Sequence, residues 1–298
     1  MILDAHTHLF PPEVREHREG FFEGEADFEL LYADPRSRLV GASELAAYLD
    51  EAGIDAACAF AFPWRRPETA RLCNDYCLEA AREFPNRIIP FACVNPLTGA
   101  AALREVERCL AMGARGVGEI ATYGDGLGPD VRGALAPLAE LCREAGVPLL
   151  LHTNEPVGHD YPGKSPMELS QVYSLVKAHP ETRWLLAHWG GGLFAYHLLR
   201  KEADEVLRNC WYDTAAGPFL YKPEAYRRFL DIAGPDRLVF GSDFPLLGLP
   251  RYLRDVDQAG LSEDERRKLL GENLSELLGM RSEDGAPGSG RPEEEGRG

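Results

Sequence analysis

Val147-Pro148-Leu149-Leu150-Leu151-His152 is a short apolar run that ends on an imidazole, and Arg183-Trp184-Leu185-Leu186-Ala187-His188 repeats the arrangement further along the chain. Runs this apolar are expected where both faces of a strand are covered, as in a parallel sheet wrapped by helices. Working outward, comparable runs occupy residues 1–4, 54–62, 87–94, 114–120, 210–213 and 237–243, so with 147–152 and 183–188 the sequence predicts eight strands. Amphipathic patterns at 43–52, 68–84, 100–112, 131–145, 166–179, 193–207 and 223–233 predict a helix after each of the first seven, and 262–278 predicts a last helix after the eighth. Each strand-plus-helix unit takes roughly 25 to 36 residues. Eight such units predict an α/β fold of the (β/α)8 barrel type. An open doubly wound sheet is the rival, but it usually carries a glycine-rich phosphate loop after its first strand, and none follows residue 4.

Local punctuation fits these boundaries. Ser43 is expected to cap its helix, and Ser262 with Glu265 reads as a capping box. Gly53, Gly113 and Gly146 are placed to supply the positive φ of helix ends. Residues 1–280 read as one barrel domain. Within it, residues 10–40 form a long insertion after strand one, of a length that on a barrel often serves as a lid. Residues 281–298 hold no large apolar side chain and are expected to be a disordered tail.

Composition narrows the partners. The chain has 298 residues, with 32 Lys and Arg against 48 Asp and Glu, a formal net charge of -16 that disfavours nucleic acid. No apolar run approaches the roughly 18 residues of a membrane span. The start lacks a basic segment followed by an apolar one, which points to the cytoplasm. The seven cysteines form no CxxC pair and are expected to pack rather than bridge or bind metal.

The chemistry concentrates at strand ends. In Asp4-Ala5-His6-Thr7-His8 the two imidazoles are two residues apart and so face one side of a strand. His152 and His188 close strands five and six, and Asp243 closes strand eight in Val239-Phe240-Gly241-Ser242-Asp243. A barrel gathers those ends into one ring, so residues distant in sequence converge. Read singly, each has an ordinary alternative: a core imidazole, or a helix cap for Asp243. Together they form a donor set suited to one divalent ion, Zn²⁺ first, with Mn²⁺, Fe²⁺ or Co²⁺ as alternatives. In this reading Asp243 also handles a proton and His188 acts in catalysis.

The motifs DAHTH (4–8), AHWGGG (187–192) and GSDFP (241–245), together with His152, resemble the amidohydrolase superfamily, in particular the branch that includes aminocarboxymuconate-semialdehyde decarboxylase. The resemblance runs over about residues 1–280. It implies a barrel, metal ligation by His6, His8, His152 and Asp243, and a catalytic His188. Many binuclear members use a carboxylated lysine on strand four. All five lysines here lie beyond that strand, while Glu119 stands near its end as a possible further ligand or a support for one.

Two activities follow as expectations. The first is a hydrolase using metal-activated water on an ester, lactone or amide bond of a small organic acid. The alternative is a nonoxidative decarboxylase. The residues after His152, Thr153-Asn154-Glu155-Pro156, depart from the Pro and Asp or Asn that the decarboxylases show there, which sets the hydrolase first. An anionic substrate is expected to meet Arg65, His159 and Tyr161, with Arg66 and Lys164 nearby, although Arg65 and Arg66 also read as surface charges. Association as a homodimer is a further expectation from the resemblance. His17 and His179 read as solvent-facing and His197 as packing.

Overall fold

The computed structural model describes residues 1–280; the expected tail lies outside them. Eight parallel strands run in sequence order: β1 Leu3–His8, β2 Ala56–Phe60, β3 Ile88–Ala92, β4 Gly116–Ile120, β5 Leu149–Leu151, β6 Trp184–Leu186, β7 Cys210–Asp213 and β8 Leu238–Val239. The seam between last and first strands is closed by Ala5 N–H donating to Phe240 O at 2.8 Å, Asp243 N–H to His6 O at 2.9 Å and His8 N–H to Phe244 O at 2.8 Å. The fold is a (β/α)8 barrel.

Strand alternation sorts side chains to two faces. Cys58, Phe60, Phe91, Leu150, Leu185 and Val239 cluster in the barrel interior with Leu3 and Ala5. Their neighbours Ala57, Ala59, Leu149, Leu151, Trp184 and Leu186 pack outward against helices. All seven cysteines are buried and unbridged, as their composition suggested.

The helices after β2, β3 and β4 span Pro67–Glu83, Ala100–Ala111 and Pro129–Ala145, close to expectation. Ser262 caps as expected, accepting from Glu265 N at 3.3 Å. Ser43 does not cap its helix: the helix spans Ala42–Ala52, and Glu44 closes the first turn by accepting from Gly41 N at 2.9 Å. The expected helix 193–207 is broken: a 3-10 segment runs only to Leu198, Lys201 has a left-handed φ of 75° that cannot propagate a right-handed helix, and only Ala203–Val206 is α-helical in that stretch. The last predicted helix is also interrupted, by a π turn at Lys268–Glu272 where Gly271 comes against Met1, so close that a Cβ would lie 2.7 Å from its carbonyl oxygen. A helix at Leu249–Ala259 was not anticipated.

The insertion after β1 is ordered rather than a bare loop, with helices at Pro12–Glu16 and Ala26–Tyr32. Phe28 packs among Phe10, Phe62 and Trp64. Buried Glu25 accepts from Arg65 N at 2.9 Å and Arg66 N at 2.8 Å, fastening the insertion to the chain after β2. No helix among the described residues is long and apolar enough to cross a membrane.

Candidate metal centre

The C-terminal strand ends hold a ring of imidazoles and carboxylates, and the outer hydrogen bonds settle which nitrogen of each imidazole faces inward. His6 Nδ1 lies 2.9 Å from Asp213 Oδ2 and donates to it. His8 Nδ1 donates to Ala61 O at 3.0 Å, His188 Nδ1 to Ala215 O at 3.0 Å, and His152 Nε2 to Gly163 O at 3.0 Å. Each assignment follows because a carbonyl or carboxylate oxygen only accepts.

The other nitrogens point at carboxylates. His6 Nε2 is 3.7 Å from both Glu119 Oε2 and Asp243 Oδ1, and it is buried without a hydrogen-bond partner. His8 Nε2 is 3.3 Å from Asp243 Oδ1. Glu119 Oε1 faces His152 Nδ1 at 3.0 Å and His188 Nε2 at 3.4 Å. A lone pair facing a carboxylate oxygen is repulsive unless a proton or a cation lies between them. With protons there, the carboxylates overcome burial and hold His6 up at about 10 and His188 at about 9. Burial pushes Asp243 and Glu119 up, but the imidazoles outweigh it, leaving Asp243 at about 2 and Glu119 well below the carboxylate range. A divalent ion answers the same need, since it takes imidazole nitrogen and carboxylate oxygen at about 2.0–2.2 Å. The donor set therefore fits a metal ion.

The donors divide into groups whose ligand atoms all lie within 4.8 Å of one another: His6, His8 and Glu119; His6, His188 and Asp243; Glu119, His152 and His188. His6 and His8 both face Asp243 as well, at 3.7 and 3.3 Å, while His152 shares its group with Glu119 and His188. Glu119 is the hinge of the arrangement.

The backbone helps to aim these groups. His188 has φ 54° and Asp243 φ 59°, left-handed values that nonglycine residues hold only when the surroundings over-determine them. His188 N–H is tied to Asp213 Oδ1 at 2.9 Å. Gly190 and Gly191 bring the following turn against the barrel: a Cβ on Gly190 would stand 2.6 Å from the Tyr212 ring, and one on Gly191 would overlap the Asn154 carbonyl. The expected close backbone approach beside the site is present.

Above the ring opens a cavity of about 730 Å³. Phe62, Tyr32 and Tyr123 line its walls, with the Tyr123 ring tilted against the His152 ring at a centroid distance of 4.9 Å. The insertion contributes Leu31, Tyr32 and Arg38 to the lining, so it borders the opening. His159 and Tyr161 also line it, and Tyr161 Oη donates to Glu155 at 3.1 Å. Arg65 does not. Its guanidinium is engaged by Asp125 at 2.7 Å and Asp27 at 3.5 Å, away from the cavity, and Arg66 pairs with Glu25. Lys164 Nζ is spent on the carbonyls of Val157 and His159. The cations that do face the cavity, Arg36 and Arg38, come from the insertion, and Arg36 is paired with Asp34.

Asp213 was not anticipated as a site residue. It is fully buried and holds His6, the His188 backbone and Ala215 N at once. Its signal was available, since it is the polar end of strand seven in the same register as the other strand-end residues.

An eight-stranded barrel whose strand ends gather four imidazoles and two carboxylates around one centre belongs to the metal-binding barrel class. More particularly, the amidohydrolase family model matches residues 3–280, and the chain belongs to that family. It is 25% identical to 6-methylsalicylic acid decarboxylase of Penicillium expansum, over 90% of this chain and 93% of that one. It is 26% identical to gamma-resorcylate decarboxylase of a Polaromonas species, over 82% and 89%. A Polaromonas dihydroxybenzoic acid decarboxylase, solved with manganese and the inhibitor 2-nitroresorcinol, superposes with a TM-score of 0.69 at 19% identity, covering 95% of this chain and 98% of that one. These relatives overturn the hydrolase expectation. The chain matches both decarboxylases along most of their length, and the sequence after His152 does not outweigh this.

Proposed function

We propose that this protein is a metal-dependent nonoxidative decarboxylase of a small hydroxylated aromatic carboxylic acid. What carries the reading, beside the likeness to decarboxylases, is the placement of a metal-fitting donor ring at the floor of an aromatic-walled cavity. His6, His8 and Asp243 are the core ligands, with Glu119 shared between them and the His152 side. Manganese, as in the Polaromonas structure, is favoured over zinc. When bound, the ion would supply a Lewis acid that stabilises negative charge on the substrate.

The chain's own residues do the rest. Phe62 and Tyr123 orient the ring and exclude water. His188, with Nδ1 anchored on Ala215 O, presents Nε2 to the cavity and delivers a proton to the ring carbon. As the bond to the carboxyl carbon breaks, its electron pair stays on the ring and the new C–H bond takes it up, releasing CO₂ without consuming water. Asp243 receives and returns the substrate's exchangeable proton. His159 and Tyr161 contact substrate at the mouth.

The test is incubation of the manganese-loaded protein with 6-methylsalicylate and 2,6-dihydroxybenzoate in D₂O. The expected products are CO₂ and a phenol carrying deuterium at the former carboxyl position. Unchanged acids in the presence of stoichiometric bound metal would sink the proposal for this substrate class.

A further inference from the structure

We infer that the acid taken by this site carries a slender apolar chain on its ring, seated along Phe219, Leu220 and Leu246; the inference rests on the decarboxylase reading above. A cavity of about 150 Å³ suffices for a benzene ring. The cavity here is about 730 Å³, so a ring with its carboxylate and hydroxyl groups leaves more than half of it for something else. Besides the donors, the lining includes the apolar side chains of Leu31, Phe219, Leu220, Pro245 and Leu246. Phe219 is 60% exposed and Leu246 56% exposed, side chains left in water that a ligand chain would cover. The side chains of Phe219, Leu220 and Leu246 offer a carboxylate or a sugar no polar partner, and hydrocarbon gains most against them.

The probe is a homologous series of 6-alkyl-2-hydroxybenzoic acids from methyl to pentyl. Each buried methylene is worth about 0.8 kcal/mol, close to fourfold. With about half of each methylene covered, the four added carbons raise kcat/KM by about 16-fold, and with full burial by about 250-fold. Phe219→Ser with Leu246→Ser brings the pentyl-to-methyl ratio below about fourfold. Leu72→Ser, an exposed leucine on the helix after β2 and outside the cavity lining, keeps the wild-type ratio. Calorimetric binding of the same acids separates this inference from the activity. Tighter binding with chain length and no turnover supports the chain pocket and removes the decarboxylase reading. Turnover of the methyl acid with a flat or falling ratio overturns the chain pocket alone. A flat ratio accompanied by loss of a dimer in the Phe219→Ser protein also overturns it, assigning the lip to self-association.

Discussion

Asp213→Asn tests how the centre is held. Asp213 accepts three bonds: from His6 Nδ1 at 2.9 Å, from His188 N at 2.9 Å and from Ala215 N at 3.0 Å. Asparagine has the same shape, and its oxygen can keep both backbone bonds. Its NH₂ must then face His6 Nδ1, placing donor against donor. His6 relieves the clash by moving its proton to Nε2, the nitrogen that faces Glu119 and Asp243, and so loses the lone pair a metal needs. The broken bond is buried and charge-assisted, worth about 1.5–3 kcal/mol. Support bonds to metal-ligating histidines typically carry 10- to 100-fold in metal affinity, or about 1.4–2.8 kcal/mol, so the two routes agree. The assay is competition for Mn²⁺ against a fluorescent chelator, with thermal unfolding beside it. A variant that unfolds near the wild-type temperature and binds Mn²⁺ 10- to 100-fold more weakly supports the reasoning. Affinity within twofold of wild type refutes it.

His188→Gln is expected to lower decarboxylation by at least about 100-fold while metal content, measured by mass spectrometry, stays at the wild-type level. Gly191→Ala sets a methyl against the Asn154 carbonyl at φ 61°, so it should cost about 1–3 kcal/mol in urea unfolding, or more if the turn cannot shift. Burial pushes the Glu105 carboxyl up, yet bonds from Arg108 and Asn74 outweigh this and lower its pKa below 4.5. A lowered folded pKa stabilises above the unfolded value and is lost as pH falls through the folded one. Glu105→Gln should therefore cost about 1 kcal/mol at pH 7, allowing for solvent screening, and flatten the acid side of the stability curve below pH 4.5. An unchanged acid limb would contradict the assignment.

The barrel was readable because parallel strands covered on both faces leave continuous apolar runs, and because each run ends in a polar residue at the same rim. His6, His8, His152, His188 and Asp243 were found by that logic, and Glu119 by its place on strand four. What was missed depends on distant partners. Arg65 looks free in sequence, but Asp125 from the loop after β4 and Asp27 from the insertion claim it once the barrel brings those loops together. The helix at Leu249–Ala259 carries arginines and aspartates that mask the buried side formed by Tyr252 and Val256. The division of donors about Glu119 follows from side-chain geometry that strand ends alone do not specify. The hydrolase expectation failed for another reason: the same ring can activate water or grip a carboxylate, and the ligands do not distinguish the two.

The seam between β8 and β1 has a consequence for synthesis on the ribosome. Asp4 accepts from Ser242 N at 2.9 Å across 238 residues, and Asp243 reaches His6 only through that closure. A nascent chain that has emerged through β7 therefore holds the first, fourth, fifth and sixth strands' donors without the contact that completes the ring. If Asp243 is a ligand as proposed, ion capture would be a late event, and a product truncated before residue 243 would lack that carboxylate.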